Sequence, residues 1–140
     1  VEDGEGRILL GRRSDTGEWA LVYGIVEPGE EPARACVREV GEETGVRVLP
    51  QAIASVKSSN YLVKYANGDQ CRYMDVLFIC KPDSHAAAPF VADDESTAVG
   101  WFSPDELPEP LAPSTVERLA IVREYRARCA KGDAAALFEC

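Results

Sequence analysis

The sequence predicts an α/β fold in which a mixed β-sheet is packed by helices. Three observations predict it. Short apolar runs recur at residues 8–10, 19–23, 52–57, 74–80 and 97–102. Helical stretches interrupt that series of strands, one near residue 32 and one near residue 114, rather than following it as a block. The chain has 140 residues, 46% of them hydrophobic and 28% charged. That length and composition suit one compact domain and are too apolar for disorder.

Taken in order, Ile8, Leu9 and Leu10 form a first strand, entered from a Glu2-Asp3-Gly4-Glu5-Gly6 turn. Such turns usually join two strands, so a strand is expected upstream of Val1. The run from Trp19 to Tyr23 ends at Gly24. Glu27 to Glu31 form a loop, and Pro32 suits the first turn of a helix that runs to Thr44, where Gly45 supplies a left-handed stop. A strand follows near residues 52–57. Tyr61 to Tyr65 and Cys71 to Lys81 flank Asn67-Gly68, the strongest short hairpin signal. Met74 to Cys80 is apolar almost throughout, which predicts a central strand. A further strand covers 97–102, and a short helix is expected at Ser103 to Leu107. Ser114 is expected to cap a C-terminal helix reaching about Lys131, with Val116, Leu119, Val122 and Tyr125 inward.

Composition excludes several functions. No apolar window approaches the roughly 20 residues of a membrane span. The acidic opening does not resemble a signal peptide, so a cytoplasmic setting is expected. Acids outnumber bases by 24 to 15, for a net charge of -9. Tight binding to nucleic-acid backbone needs clustered Lys and Arg and is not expected. The five cysteines include no C-x-x-C, which disfavours a zinc site or disulfide framework. His85, the single histidine, falls in a loop, and Ser-His-Asp hydrolysis has no support.

The acids concentrate between Gly24 and Val46. On a wheel of about 100° per residue, Ala33, Cys36, Val37, Val40 and Thr44 form a core-facing stripe, and Glu39, Glu42 and Glu43 share an arc beside it. Like charges at this spacing repel by about 0.2–0.5 kcal/mol per pair, and no Lys relieves them. A hard divalent cation would make sense of the arrangement. So would a solvated helix face with Arg34 and Arg38 paired to the acids, and spacing alone leaves both open.

The segment from Gly24 to Val46 also resembles the Nudix box. That pattern is Gly, five residues, Glu, seven residues, Arg-Glu, an aliphatic residue, any residue, Glu-Glu, any residue, Gly and an aliphatic residue. Gly24, Glu30, Arg38, Glu39, Val40, Glu42, Glu43, Gly45 and Val46 meet every fixed position. The flanks resemble the family too, in Leu9-Leu10 with Arg12-Arg13, in Trp19, and in Gly100-Trp101-Phe102. One departure is Val22-Tyr23-Gly24, where family members often carry Pro-Gly-Gly.

The resemblance implies a Nudix-type α/β/α sandwich with a mixed sheet, a catalytic loop-helix-loop and a C-terminal helix, all within one domain over residues 1–140. It implies Mg²⁺-dependent, or Mn²⁺-dependent, hydrolysis of the diphosphate linkage in a nucleotide-type substrate. ADP-ribose, nucleotide sugars and nucleoside triphosphates are not distinguished. By similarity Glu39, Glu42 and Glu43 are metal ligands with the Gly24 carbonyl, and Arg38 and Glu30 tie loop to helix. The general base is a box glutamate or an acid of Asp93-Asp94-Glu95, with Glu95 preferred. Tyr23, Tyr61 and Arg72 are the residues considered for substrate contact, although tyrosines at hairpin spacing more often pack across strands. A homodimer is expected by family analogy alone. The competing class is a non-catalytic Nudix-like sensor of nucleotides, which the intact acids disfavour.

Overall fold

The computed structural model describes residues 1–59 and 62–138. Ten elements follow one another: β1 (Ile8–Arg13), β2 (Trp19–Ala20), α1 (Pro32–Thr44), β3 (Val48–Ser58), β4 (Val63–Lys64), β5 (Gln70–Cys71), β6 (Met74–Pro82), β7 (Ser96–Phe102), α2 (Pro113–Cys129) and β8 (Leu137–Phe138). They form an α/β fold. One antiparallel sheet has the order β2-β1-β7. A second has the order β6-β3-β8, antiparallel between β3 and β6 and parallel between β3 and β8. The second sheet has the expected mixed character, and β4 and β5 pair only with each other among the described residues.

The layers follow from alternation in β1. Successive side chains of a strand point to opposite faces, and both Leu9 and Leu10 are buried. Leu9 joins Val40 of α1, Val46, Val48 and Cys80. Leu10 joins Leu21 and Leu119 of α2. The strand therefore lies between the two helices, which is why it reads as a continuous apolar run. Upstream of β1, Val1 to Asp3 folds back on it, with Leu9 N–H donating to Val1 O (3.1 Å) and Asp3 N–H to Arg7 O (3.0 Å). No described helix is long and apolar enough to cross a membrane.

Several expectations need correction. Strand β6 is an edge of its sheet, not a central strand; its apolar residues are half-buried against a cavity, and Met74 is 72% exposed. The hairpin closes between Val63 and Cys71, and β6 then leaves to pair with β3. Strand β2 is short because Leu21 N–H turns to the Thr115 hydroxyl (3.0 Å). That bond also explains the phase of α2: Thr115 is buried where Val116 was expected, and Val116 is 54% exposed. Ser114 does not cap α2. The cap is Ala112, without a side-chain bond, and Pro113 starts the helix through its fixed φ. At Ser103 to Leu107 there is only a turn, with Glu106 N–H on Ser103 O (3.0 Å). Pro108 and Pro110 supply no N–H to extend it.

Candidate active site

Helix α1 has the bounds that Pro32 and Gly45 set. Gly45 adopts φ 69 and donates its N–H to Gly41 O (2.9 Å). The helix is rotated from its expected phase. Ala35, Val40 and Thr44 are buried, whereas Val37 is exposed. The rotation carries Glu39 and Glu43 to the edge of the core, where both are half-buried, and leaves Glu42 58% exposed at its side chain.

The last carbonyls of a helix lack intrahelical partners. Here Thr44 O accepts from Phe90 N–H (3.0 Å) and Glu43 O from Ala92 N–H (3.3 Å), which docks the incoming loop on the helix end. Glu95 N–H donates to Asp93 Oδ1 (3.0 Å), and Ser14 N–H to Glu95 O (2.8 Å). The acids of this loop are thereby set against Glu43. Burial, reinforced by the charges of Glu95, Asp93 and Glu39, pushes the Glu43 carboxyl up to about 8, while Arg13 opposes the shift. Glu43 and Glu95 share a hollow of about 10 Å³ with Arg13 and Tyr23, near the size that holds one water.

Arg38 organises the other side. Its Nε and Nη2 donate to the two oxygens of Glu30 (both 3.0 Å), a bidentate pair. Nη2 also reaches Ile25 O (3.2 Å), and Glu27 N–H donates to Glu30 Oε2 (3.1 Å). The loop before the helix is tied down through these bonds, and the guanidinium holds the Glu30 carboxyl below the usual carboxylate range. Arg38 Nη1 donates to Glu39 Oε1 (2.8 Å) and Glu42 Oε2 (3.0 Å).

Gly24 lies against Glu39. A Cβ there would fall 1.9 Å from the Glu39 carboxyl carbon, so only glycine admits the carboxylate at this place. A bare backbone beside a carboxylate, next to an acid pushed up by its own neighbours, fits a doubly charged cation. The donors are all oxygens, which suits Mg²⁺ or Mn²⁺ over softer ions. Among the described residues no three acidic, histidine or cysteine side chains stand as a ready-made metal cage. Arg38 serves as counter-charge to Glu39 and Glu42.

A second hollow, of about 170 Å³, opens beside Gly24 and Glu39 between α1, β6 and α2. Tyr23 lines it, held between Arg13 and Arg118 with guanidinium carbons 5.4 and 5.2 Å from its ring centre. The Tyr23 hydroxyl pairs with Arg13. Arg72 is exposed and lines neither hollow, so the structure does not bring it to these residues. Tyr61 lies outside the described residues; Tyr65 and Tyr73 bond each other through their hydroxyls. His85 is exposed, and Cys36 and Cys80 are free thiols 3.7 Å apart. Sequence reasoning missed Arg118 and Asp75, which pair across the larger hollow. The available signal was Asp75 itself, the one charge within the apolar run from Met74 to Cys80.

Comparison with known proteins adds to this geometry. Residues 1–123 match the NUDIX domain. A MutT-like protein of Streptomyces ambofaciens is 37% identical over 108 residues, which are 77% of this chain and 62% of that protein. The chain thus spans less than two thirds of that relative's length. The Nudix hydrolase YfcD of Escherichia coli K12, itself uncharacterized, is 30% identical over 96% of this chain and 72% of its own. Among solved structures, the MutT NUDIX hydrolase of Burkholderia pseudomallei aligns with a TM-score of 0.64 at 32% identity, covering 84% of this chain and 89% of that one. With the box complete from Gly24 to Val46 and the domain match spanning most of the sequence, the chain belongs to the Nudix hydrolase family.

Proposed function

We propose that this chain hydrolyses the diphosphate linkage of a nucleoside diphosphate joined to another group, using Mg²⁺, for which Mn²⁺ can substitute. The observation that carries the reading is the acid face of α1, with Glu39 against the bare backbone of Gly24 and Glu43 sharing a hollow with Glu95. Nudix hydrolases generally use divalent metal ions, and this is where the chain concentrates oxygen donors.

In this reading Glu39, Glu42, Glu43 and the Gly24 carbonyl hold the cation. A divalent cation held by these residues would neutralise charge on the non-bridging phosphate oxygens and make the attacking water more acidic. The protein's own groups do the rest. Glu30 and Arg38 lock the loop so that Gly24 and Glu39 keep their register. Glu95, placed against Glu43 by the loop docked on the helix end, accepts the proton of the attacking water. Tyr23 forms the wall between the acids and the larger hollow. The acid surplus makes nucleic-acid backbone a poor partner, so the substrate is a small nucleotide: an ADP-ribose, nucleotide-sugar or nucleoside triphosphate type.

A panel of such nucleotides with Mg²⁺, with products identified by mass in ¹⁸O water, tests the reading. Hydrolysis at a phosphorus of the diphosphate bridge is expected, and Glu43→Gln should lower kcat by about 100-fold or more while the protein still folds. Undiminished turnover in that variant would refute the assigned role.

A further inference from the structure

Two thiols meet at the wall of the larger hollow. Cys36 stands on α1 and Cys80 on β6, and both line the cavity of about 170 Å³. Both thiols are free, and their sulfur atoms are 3.7 Å apart. They differ in access. Cys80 is 2% exposed and lies in the core with Leu9, Val40 and Val46, whereas Cys36 packs on the edge of that cluster and is half-buried. A cysteine that only fills core space behaves as a small, inert apolar residue. Here two cysteines far apart in the chain are in sulfur-to-sulfur contact beside a cavity, which is the arrangement that oxidation can use. The hydrogen bond between them lowers the Cys36 thiol from its ordinary value, against the effect of burial, and raises Cys80. Cys36 is thus both the more accessible sulfur and the one that ionises first.

We propose that Cys36 and Cys80 are a hydroperoxide-reactive pair that closes reversibly into a disulfide between α1 and β6. A disulfide bond is about 2.0 Å long, so each sulfur moves by about 0.8 Å toward the other. The oxidant is a small, neutral hydroperoxide such as hydrogen peroxide. Glu2, Glu39 and Asp75 line the hollow against the single guanidinium of Arg118, which disfavours a bulky anionic oxidant such as glutathione disulfide. In the first step the Cys36 thiolate attacks one peroxide oxygen. An S–O bond forms, the O–O bond breaks, and the departing hydroxide takes up a proton as water. The sulfur is oxidised to a sulfenic acid and the peroxide is reduced. In the second step the Cys80 sulfur attacks the Cys36 sulfur. The S–S bond forms, the S–O bond breaks, and the hydroxide leaves with the Cys80 proton as a second water. One hydrogen peroxide and two thiols thus yield one disulfide and two waters. A dithiol reductant restores both thiols and is itself oxidised. None of these steps involves Glu43 or Glu95, so the proposal is independent of the hydrolase reading.

The test is made on the full chain carrying Cys71→Ser, Cys129→Ser and Cys140→Ser, which leaves only the pair, with its fold checked by circular dichroism. After treatment with hydrogen peroxide, the protein is expected to lose both titratable thiols and the mass of two hydrogen atoms, and to stay monomeric on a non-reducing gel. Proteolysis should release one peptide that joins residues 36 and 80, and dithiothreitol should return both thiols. Should the triple variant not fold, peptide mapping of the oxidised wild type carries the test, with the 36–80 cross-link as the dominant product. Single substitutions check the order of events. Cys80→Ser should stop at a Cys36 sulfenic acid that dimedone traps, and Cys36→Ser should leave Cys80 unoxidised. Thiols that survive the treatment overturn the proposal. So does oxidation that adds oxygen without a cross-link, a cross-link between two chains or through another cysteine as the main product, or Cys80 oxidised as readily in Cys36→Ser.

Discussion

Glu43 offers a stability measurement that needs no substrate. Folded, its carboxyl holds a proton up to about pH 8, whereas an unfolded glutamate releases it near 4.5. The folded state therefore binds more protons across that window, and stability must fall as pH rises through it. The contribution is fully present below about 4.5 and is lost above about 8. At about 1.4 kcal/mol per unit of pKa difference, unscreened burial and repulsion of the charge would amount to about 5 kcal/mol. Solvent reaches part of the side chain and screens it, so about 2 kcal/mol is expected. Glu43→Gln removes the charge and keeps the shape. Urea unfolding of the metal-free protein at pH 5.5 and 8.5 should show the wild type losing about 1 kcal/mol more than the variant, because part of the window lies below pH 5.5. At pH 8.5 the inactive variant should be the more stable protein, and Mg²⁺ should narrow the gap by stabilising the wild type alone. Parallel pH profiles, or a variant less stable at pH 8.5, would refute the reasoning.

Three other perturbations address separate parts of the site. Gly24→Ala puts a methyl group 1.9 Å from the Glu39 carboxyl carbon. It should cut kcat by about 100-fold with the fold retained, read by initial rates and circular dichroism. Arg38→Lys loses the bidentate grip on Glu30 and one of the contacts to Glu39 and Glu42. An activity loss of about 10–100-fold is expected, as for residues that orient ligands without binding the ion themselves, and titration of Mn²⁺ should show weaker binding. Thr115→Val orphans the buried Leu21 N–H; urea melts should record a cost of about 1–3 kcal/mol.

What was legible in the sequence was local. Pro32 and Gly45 delimit α1 through φ preferences of single residues, and helical periodicity places Glu39, Glu42 and Glu43 on one arc, while only the resemblance to the family box marks them out as a site. The apolar run Ile8-Leu9-Leu10 marks β1 as a strand, and the structure adds that it is covered on both faces. Features decided by distant contacts were not legible. Asp75 and Arg118 are 43 positions apart, and only the fold makes them a pair. The rotation of α1 that exposes Val37 depends on what β1 and β6 offer opposite. β6 looks central by composition, yet it is an edge strand whose residues 74–80 border a hollow. Glu95 was singled out by charge, but its position against Glu43 comes from backbone bonds at a helix end that no side-chain pattern encodes.

The stretch from Leu21 to Glu30 has no regular structure, yet it is clamped at both ends: Leu21 by the Thr115 hydroxyl, and Ile25 and Glu30 by Arg38. The two clamps belong to different helices, so the span between them works like a strap of fixed length. Inserting or deleting one residue there would slide Gly24 off Glu39, however well each helix kept its own form. Length variation is far better tolerated at the Asn67-Gly68 tip, where β4 and β5 pair only with each other among the described residues.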